Sequence, residues 1–128
     1  MDYNAPMNQV PEQAIDRVAT YFQALAEPTR LRILNLLRER EHNVGELAQA
    51  CGYTAANMSR HLAVLMQQGF VKRQGRGTHV YYLIADPTIY ALCDLVCDRI
   101  QQQHASQAWP QTALTKKRGN RARRMAVA

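Results

Sequence analysis

Residues 44–86 read VGELAQACGYTAANMSRHLAVLMQQGFVKRQGRGTHVYYLIAD, and the succession of elements in this stretch decides the fold. A short amphipathic segment, VGELAQA, follows Asn43, whose side chain suits a helix N-cap. It closes at Cys51-Gly52, where glycine can take the left-handed conformation that ends a helix. Thr54 then caps a second helix, AANMSRHLAVLMQQ, which carries Met58, Leu62, Leu65 and Met66 on one face and runs to Gly69. Two helices separated by three or four residues that include a glycine form a helix-turn-helix. Residues 70–74 and 78–84 follow as two short strands around the turn Gly75-Arg76-Gly77. A basic-tipped hairpin directly after a helix-turn-helix is a winged-helix arrangement, so the expected class is mainly α with a β-hairpin wing.

Upstream, Pro11 opens a helix with Ile15, Val18, Ala19, Phe22, Leu25 and Ala26 at three-and-four spacing. Pro28 interrupts it and is well placed as the first residue of the next helix. There Leu31, Ile33, Leu34, Leu36 and Leu37 predict burial, with Arg30, Arg32, Arg38 and Arg40 as the solvated side. Downstream, Asp86-Pro87 starts a last helix with Ile89, Leu92, Val96 and Ile100 on its apolar face, fading near Trp109-Pro110. The expected organisation is a disordered N-terminus at 1–10, one domain at 11–108 and a basic disordered tail at 109–128.

The 128 residues are 47% hydrophobic and carry a formal charge of +6. No run approaches the 18 or so apolar residues of a membrane span, and no secretory signal opens the chain, so a cytoplasmic protein without a membrane partner is expected. The charge is unevenly placed. Residues 1–100 hold ten Lys or Arg against ten Asp or Glu, while Lys116, Lys117, Arg118, Arg121, Arg123 and Arg124 supply the whole excess. Such a basic tail is either a solvated, weakly binding appendage or an aid to DNA affinity without regard to sequence, so specific recognition has to come from the neutral part. No phosphate-cradling glycine loop, HExxH motif or nucleophile elbow is present, and the chain is not expected to be an enzyme.

The sequence resembles the ArsR/SmtB family of bacterial winged-helix repressors. The resemblance rests on LAEPTRLRILNLL at 25–37, VGELAQACGYTAANMSRHLAVLMQQGFV at 44–71 and RQGRGTHVYYLIAD at 73–86. It implies a homodimer joined through its first and last helices, bound to a palindromic double-stranded operator and released by an inducer. The polar set at the start of the second helix of the motif suits that role. Asn57 and Arg60 are the expected base readers, since Asn pairs bidentately with adenine and Arg with guanine. Thr54 and Ser59 are expected on phosphates. His61 matches a position nearly invariant in the family and reads equally as a DNA contact or as a buried, backbone-bonded side chain. Ala56 stands where the family usually has a second Ser. In the wing, Arg73, Arg76, Thr78 and His79 are expected backbone contacts.

Three cysteines in a cytosolic chain argue against a disulfide scaffold. Cys93 and Cys97 lie one helical turn apart on one face, a spacing that suits chelation of a soft ion. Cys51 and His104 are weaker candidate ligands, His104 only from a partner chain. The family's zinc and nickel sites need an Asp-x-His where this chain has Asp86-Pro87-Thr88. Its founding arsenic site needs two cysteines where only Cys51 stands, and its oxidant and persulfide sensors carry a Cys in the second helix, which this chain lacks. The expected inducer is therefore a thiophilic ion, As(III), Sb(III), cadmium or lead, held by Cys93 and Cys97. No organic cofactor is expected. A thiol oxidant or persulfide, or a constitutive dimer with structural cysteines, is the alternative.

Overall fold

Pro28 supplies the pre-set φ of a first helical residue, and the Glu27 carboxylate before it accepts the Arg30 backbone N–H at 2.9 Å. Such local signals recur along the chain in the computed structural model, which describes residues 6–104. After a single 3-10 turn at Met7–Gln9, within the segment expected to lack structure, come α1 (Glu12–Leu25), α2 (Pro28–Glu39), β1 (His42–Asn43), α3 (Val44–Cys51) and α4 (Ala55–Gln67). The strands β2 (Val71–Arg76) and β3 (His79–Ile84) and the helix α5 (Ile89–Gln103) complete it. Asn43 accepts from Glu46 N at 2.8 Å while the Glu46 carboxylate accepts from Asn43 N at 3.1 Å, a full capping box for α3. Gly52, at φ 71°, ends α3, and Thr54 Oγ1 accepts from Asn57 N at 3.2 Å to start α4.

Ile33 of α2, Leu47 of α3 and Met58, Leu62 and Leu65 of α4 are wholly buried and form the centre of the core. Phe70 and Val71 close it from the sheet, and Tyr21 of α1 meets the Phe70 ring edge-on at 4.7 Å. Ile89 and Tyr90 anchor α5, the Tyr90 hydroxyl donating to Leu34 O at 2.6 Å. The sheet runs β1-β3-β2, antiparallel throughout, with Arg76 opposite His79, Gln74 opposite Tyr81 and Asn43 opposite Tyr81 on the other side.

Several expectations need correction. The hairpin is longer than expected at its tip. Gly75 and Arg76 belong to β2, and the turn is Gly77-Thr78 with only Gly77 at positive φ, 63°, which favours glycine at the first central position. The strand β1 was not expected, since two residues show no alternation. On α2, Leu31 is exposed, whereas Arg38, expected on the solvated side, keeps only 10% of its side chain accessible. On α5 the line Ile89, Cys93 and Cys97 faces inward, while Val96 and Ile100 of the expected apolar face are 47% and 42% exposed. Phe22 and Ile15 of α1 are exposed too, so α1 and α5 both present apolar side chains that are left open among the described residues. The expected end of the last helix near Trp109 and the basic tail lie outside the described residues. Among the described residues no helix is long and apolar enough to cross a membrane.

Candidate nucleic-acid interface and thiol pair

The helix α4 buries Met58, Leu62 and Leu65 and thereby turns Asn57, Ser59 and Arg60 outward, all three exposed. Asn57 and Arg60 are three residues apart and share a face, as a pair reading neighbouring bases requires. Thr54 is exposed at the N-terminus of α4, its oxygen already engaged in the cap. His61 has the other orientation. Its ring lies 3.8 Å from the Glu27 carboxylate and its Nδ1 3.4 Å from Arg30 Nη1, and Tyr53 flanks it at 6.1 Å between centroids. Arg30 in turn donates to Ala24 O at 2.6 Å and Gln23 O at 3.0 Å. This cluster ties the C-terminus of α1 and the N-terminus of α2 to the middle of α4, with the His61 side chain half-buried and in contact with the Glu27 and Arg30 side chains and not bonded to backbone.

In the wing the register divides the expected contacts. Residues directly opposite share a face, and faces alternate along a strand. Arg76, His79, Gln74 and Tyr81 therefore lie on one face with Lys72, while Arg73 lies on the other with Tyr82 and Val80. Thr78 sits in the turn and is exposed. Arg76 is not free at the tip. Both its terminal nitrogens donate to the Glu41 carboxylate, one of them to Gln74 Oε1 as well at 3.1 Å, and its guanidinium lies 5.2 Å from the Tyr81 ring centroid. Lys72 and Glu41 are residues the linear reading missed. Alternation along β2 would have found Lys72; Glu41 is 35 positions from its partner and leaves no local signal.

Cys93 and Cys97 are both half-buried. Burial pushes the Cys93 thiol up, and Cys97 and Asp94 push it further, against a smaller opposing pull from Arg38. Tyr21 is likewise raised, by burial first and then by Asp86 and Cys93, which locates Cys93 against α1. On the other side Arg38 bonds Asp94 through both terminal nitrogens, at 3.0 and 2.9 Å, and lies 4.6 Å from the Tyr90 ring centroid. Cys93 is thus set between Tyr21 of α1 and Arg38 of α2, with Cys97 one turn further along α5. Cys51 is raised by burial, with Arg32 opposing, and packs against the core from α3. His104 caps the end of α5 and is exposed. Among the described residues of the one chain, no three His, Cys, Asp or Glu side chains gather as metal ligands. Two thiols fit the donor preference of a soft ion but not its full coordination.

Residues 27–73, which hold α2, the helix-turn-helix of α3 and α4 and the start of the wing, match the profile of the arsR family of bacterial regulatory proteins. An uncharacterized HTH-type transcriptional regulator of Mycobacterium tuberculosis, Rv0081, is 43% identical over 75 residues, covering 58% of this chain and 66% of its own length. Its crystal structure superposes with a TM-score of 0.70 at 34% identity, over 76% of this chain and 98% of that one. The chain belongs to the arsR family. A transcriptional repressor SmtB homolog of Synechocystis is 36% identical over 86 residues, 67% of this chain and 65% of the relative. The homodimeric winged helix-turn-helix DNA-binding domain Mb0332 of Mycobacterium bovis has a TM-score of 0.64 at 34% identity, covering 77% and 96%. The sequence matches thus span just under two thirds of the lengths of Rv0081 and the SmtB homolog. Expected fold class and resemblance agree with these findings, and the relatives are regulators, not enzymes.

Proposed function

We propose that this protein is a homodimeric repressor that binds a palindromic operator through α4 and the wing and leaves it when a thiophilic ion engages Cys93 and Cys97. The observation that carries the DNA reading is the outward row Asn57, Ser59 and Arg60 on a helix fixed by its buried opposite face. A recognition helix enters the major groove in this manner, and a dimer must hold two such helices about 34 Å apart. The exposed apolar side chains of α1 and α5 support pairing of two copies through those helices. The SmtB homolog is named a repressor, which supports repression over activation here.

Arsenite, antimonite, cadmium and lead all favour sulfur, and the pair at one-turn spacing offers two such donors. Further ligands then come from the second copy or from solvent. The raised Cys93 thiol favours an ion over an oxidant, because oxidant-sensing thiols depend on a lowered pKa whereas a bound cation stabilises the thiolate directly. An ion that shifts the separation of the two recognition helices with a coupling of about 1–3 kcal/mol weakens operator affinity about 5–150-fold. The test is fluorescence anisotropy on a palindromic duplex selected by the protein from a random pool. Each ion, zinc, peroxide and polysulfide are titrated in turn. The Cys93→Ser/Cys97→Ser protein should keep its affinity and lose the response. A response retained by that variant overturns the thiol site, a response to peroxide or polysulfide alone favours the redox reading, and no response to any effector favours a constitutive dimer.

A further inference from the structure

The cleft of about 650 Å³ between the wing and the α2–β1 corner is lined by Arg40, Glu41, Arg76, His79 and Tyr81. We propose that this cleft seats a phosphate of the DNA backbone and that Glu41 occupies the phosphate's place in the free protein, competing with DNA for Arg76. The inference rests on the DNA-binding reading above.

Three observations carry it. First, Arg76 is stowed. It stands opposite His79 beside the hairpin turn, while Glu41 precedes β1, whose pairing of His42 with Tyr82 sets Glu41 level with Leu83. The four residues from His79 to Leu83 span about 13 Å along a strand. Arg76 and Glu41 close that distance only by reaching toward each other along the sheet, and on the Arg76 side its contact with the Tyr81 ring describes that course. Second, the carboxylate meets the guanidinium fork through both oxygens, the geometry in which an arginine also grips phosphate. Third, the pair is exposed, with 44% and 33% of the side chains accessible, so its rupture costs little. Arg40 is engaged nearby with Glu46 at 3.0 Å and with Glu41 O at 2.9 Å, while the Glu41 carboxylate is the one that meets Arg76 among the described residues. An incoming phosphate would take the carboxylate's place on the Arg76 guanidinium and leave Glu41 unpaired beside a polyanion. The exchange lowers the affinity of the free wing for every duplex.

Anisotropy with a fluorescein-labelled duplex of mixed sequence, titrated over a range of salt, tests this on four full-length proteins: wild type, Glu41→Gln, Arg76→Ala and the double variant. Glu41→Gln should tighten binding about two- to fivefold, the range that rupture of an exposed pair implies. Arg76→Ala should weaken it and flatten the log–log salt slope by about 0.9. With Arg76 absent, the gain from Glu41→Gln should fall below half. An equal gain in both backgrounds would reduce Glu41 to simple charge repulsion and overturn the competition. So would an absent gain, or an Arg76→Ala protein that binds like wild type, with the DNA reading intact in each case. A wild-type protein that shows no salt-sensitive binding to any duplex overturns that reading and the competition together.

Discussion

Arg60 and Arg73 have the same side chain in different settings, one on a helix face among Asn57 and Ser59 and the other on the core-side face of a strand. Asn57→Ala or Arg60→Ala should each cost about 1–3 kcal/mol at the selected palindrome and relax preference at one base pair, read by competition with single-base variants. Arg73→Ala should instead weaken all duplexes alike and lower the salt slope by about 0.9. Arg38 is the residue whose role the periodicity of α2 hid. The helical wheel puts it among polar neighbours, yet Asp94, its partner 56 positions away, draws it under α5 beside Tyr90. Arg38→Ala removes both guanidinium hydrogen bonds from the Asp94 carboxylate at a site that is only partly open to water. The cost should be about 2 kcal/mol in urea denaturation, below the range for a fully buried pair because 26% of the Asp94 side chain remains accessible.

At the scale of elements, termini were legible wherever a residue has a special backbone or capping role. Asn43, Gly52, Thr54 and Pro28 each mark a boundary found in the structure. The hairpin tip was displaced because Gly75 reads as a turn residue, although cross-strand pairing holds it in β2 opposite Val80. The strand β1 is set by its partner, Tyr81-Tyr82, and by no pattern of its own. Capping of α3 also has an acid limit. The Asn43 backbone N–H and then Arg40 hold the Glu46 carboxyl below its ordinary value of 4.5, against a smaller opposing effect of burial. A lowered carboxyl stabilises the fold above its unfolded pKa, and that contribution is lost as pH falls through the folded one. Melting temperature should therefore drop below about pH 4.5, and Glu46→Gln should reduce the drop. Asn43→Ala should cost about 1 kcal/mol at neutral pH, measured by chemical denaturation.

For the molecule as a whole, the single chain is legible as a fold and incomplete as a surface. The candidate reading helix could be inferred from its own residues, whereas the surroundings of Cys93 and Cys97 depend on how α5 packs between Tyr21 and Arg38. Sequence periodicity put Val96 and Ile100 on the apolar face of the last helix; within one chain both lie outside the core, with Leu95 67% exposed beside them. Burial of such side chains contributes about 25 cal/mol per Å², which is the driving force available to a second copy. Val96→Asp/Ile100→Asp should shift sedimentation to the monomer and abolish tight palindrome binding. Circular dichroism should stay unchanged, because neither side chain belongs to the core of one chain.

The wing has a further consequence that concerns solubility. With β3 in the centre and β1 only two residues long, β2 is the long edge of the sheet, and its outer backbone groups are open to pairing with another strand. Unprotected edges of this kind recruit strands from other molecules, and charged side chains, lysine above all, are a common safeguard. Lys72, Arg73 and Arg76 put cations on both faces of that edge, so two copies meeting edge to edge repel. The charges that suit the hairpin to a phosphate backbone also keep it from becoming a seam for aggregation. A variant weakened for DNA by neutralising all three would lose that protection at the same time.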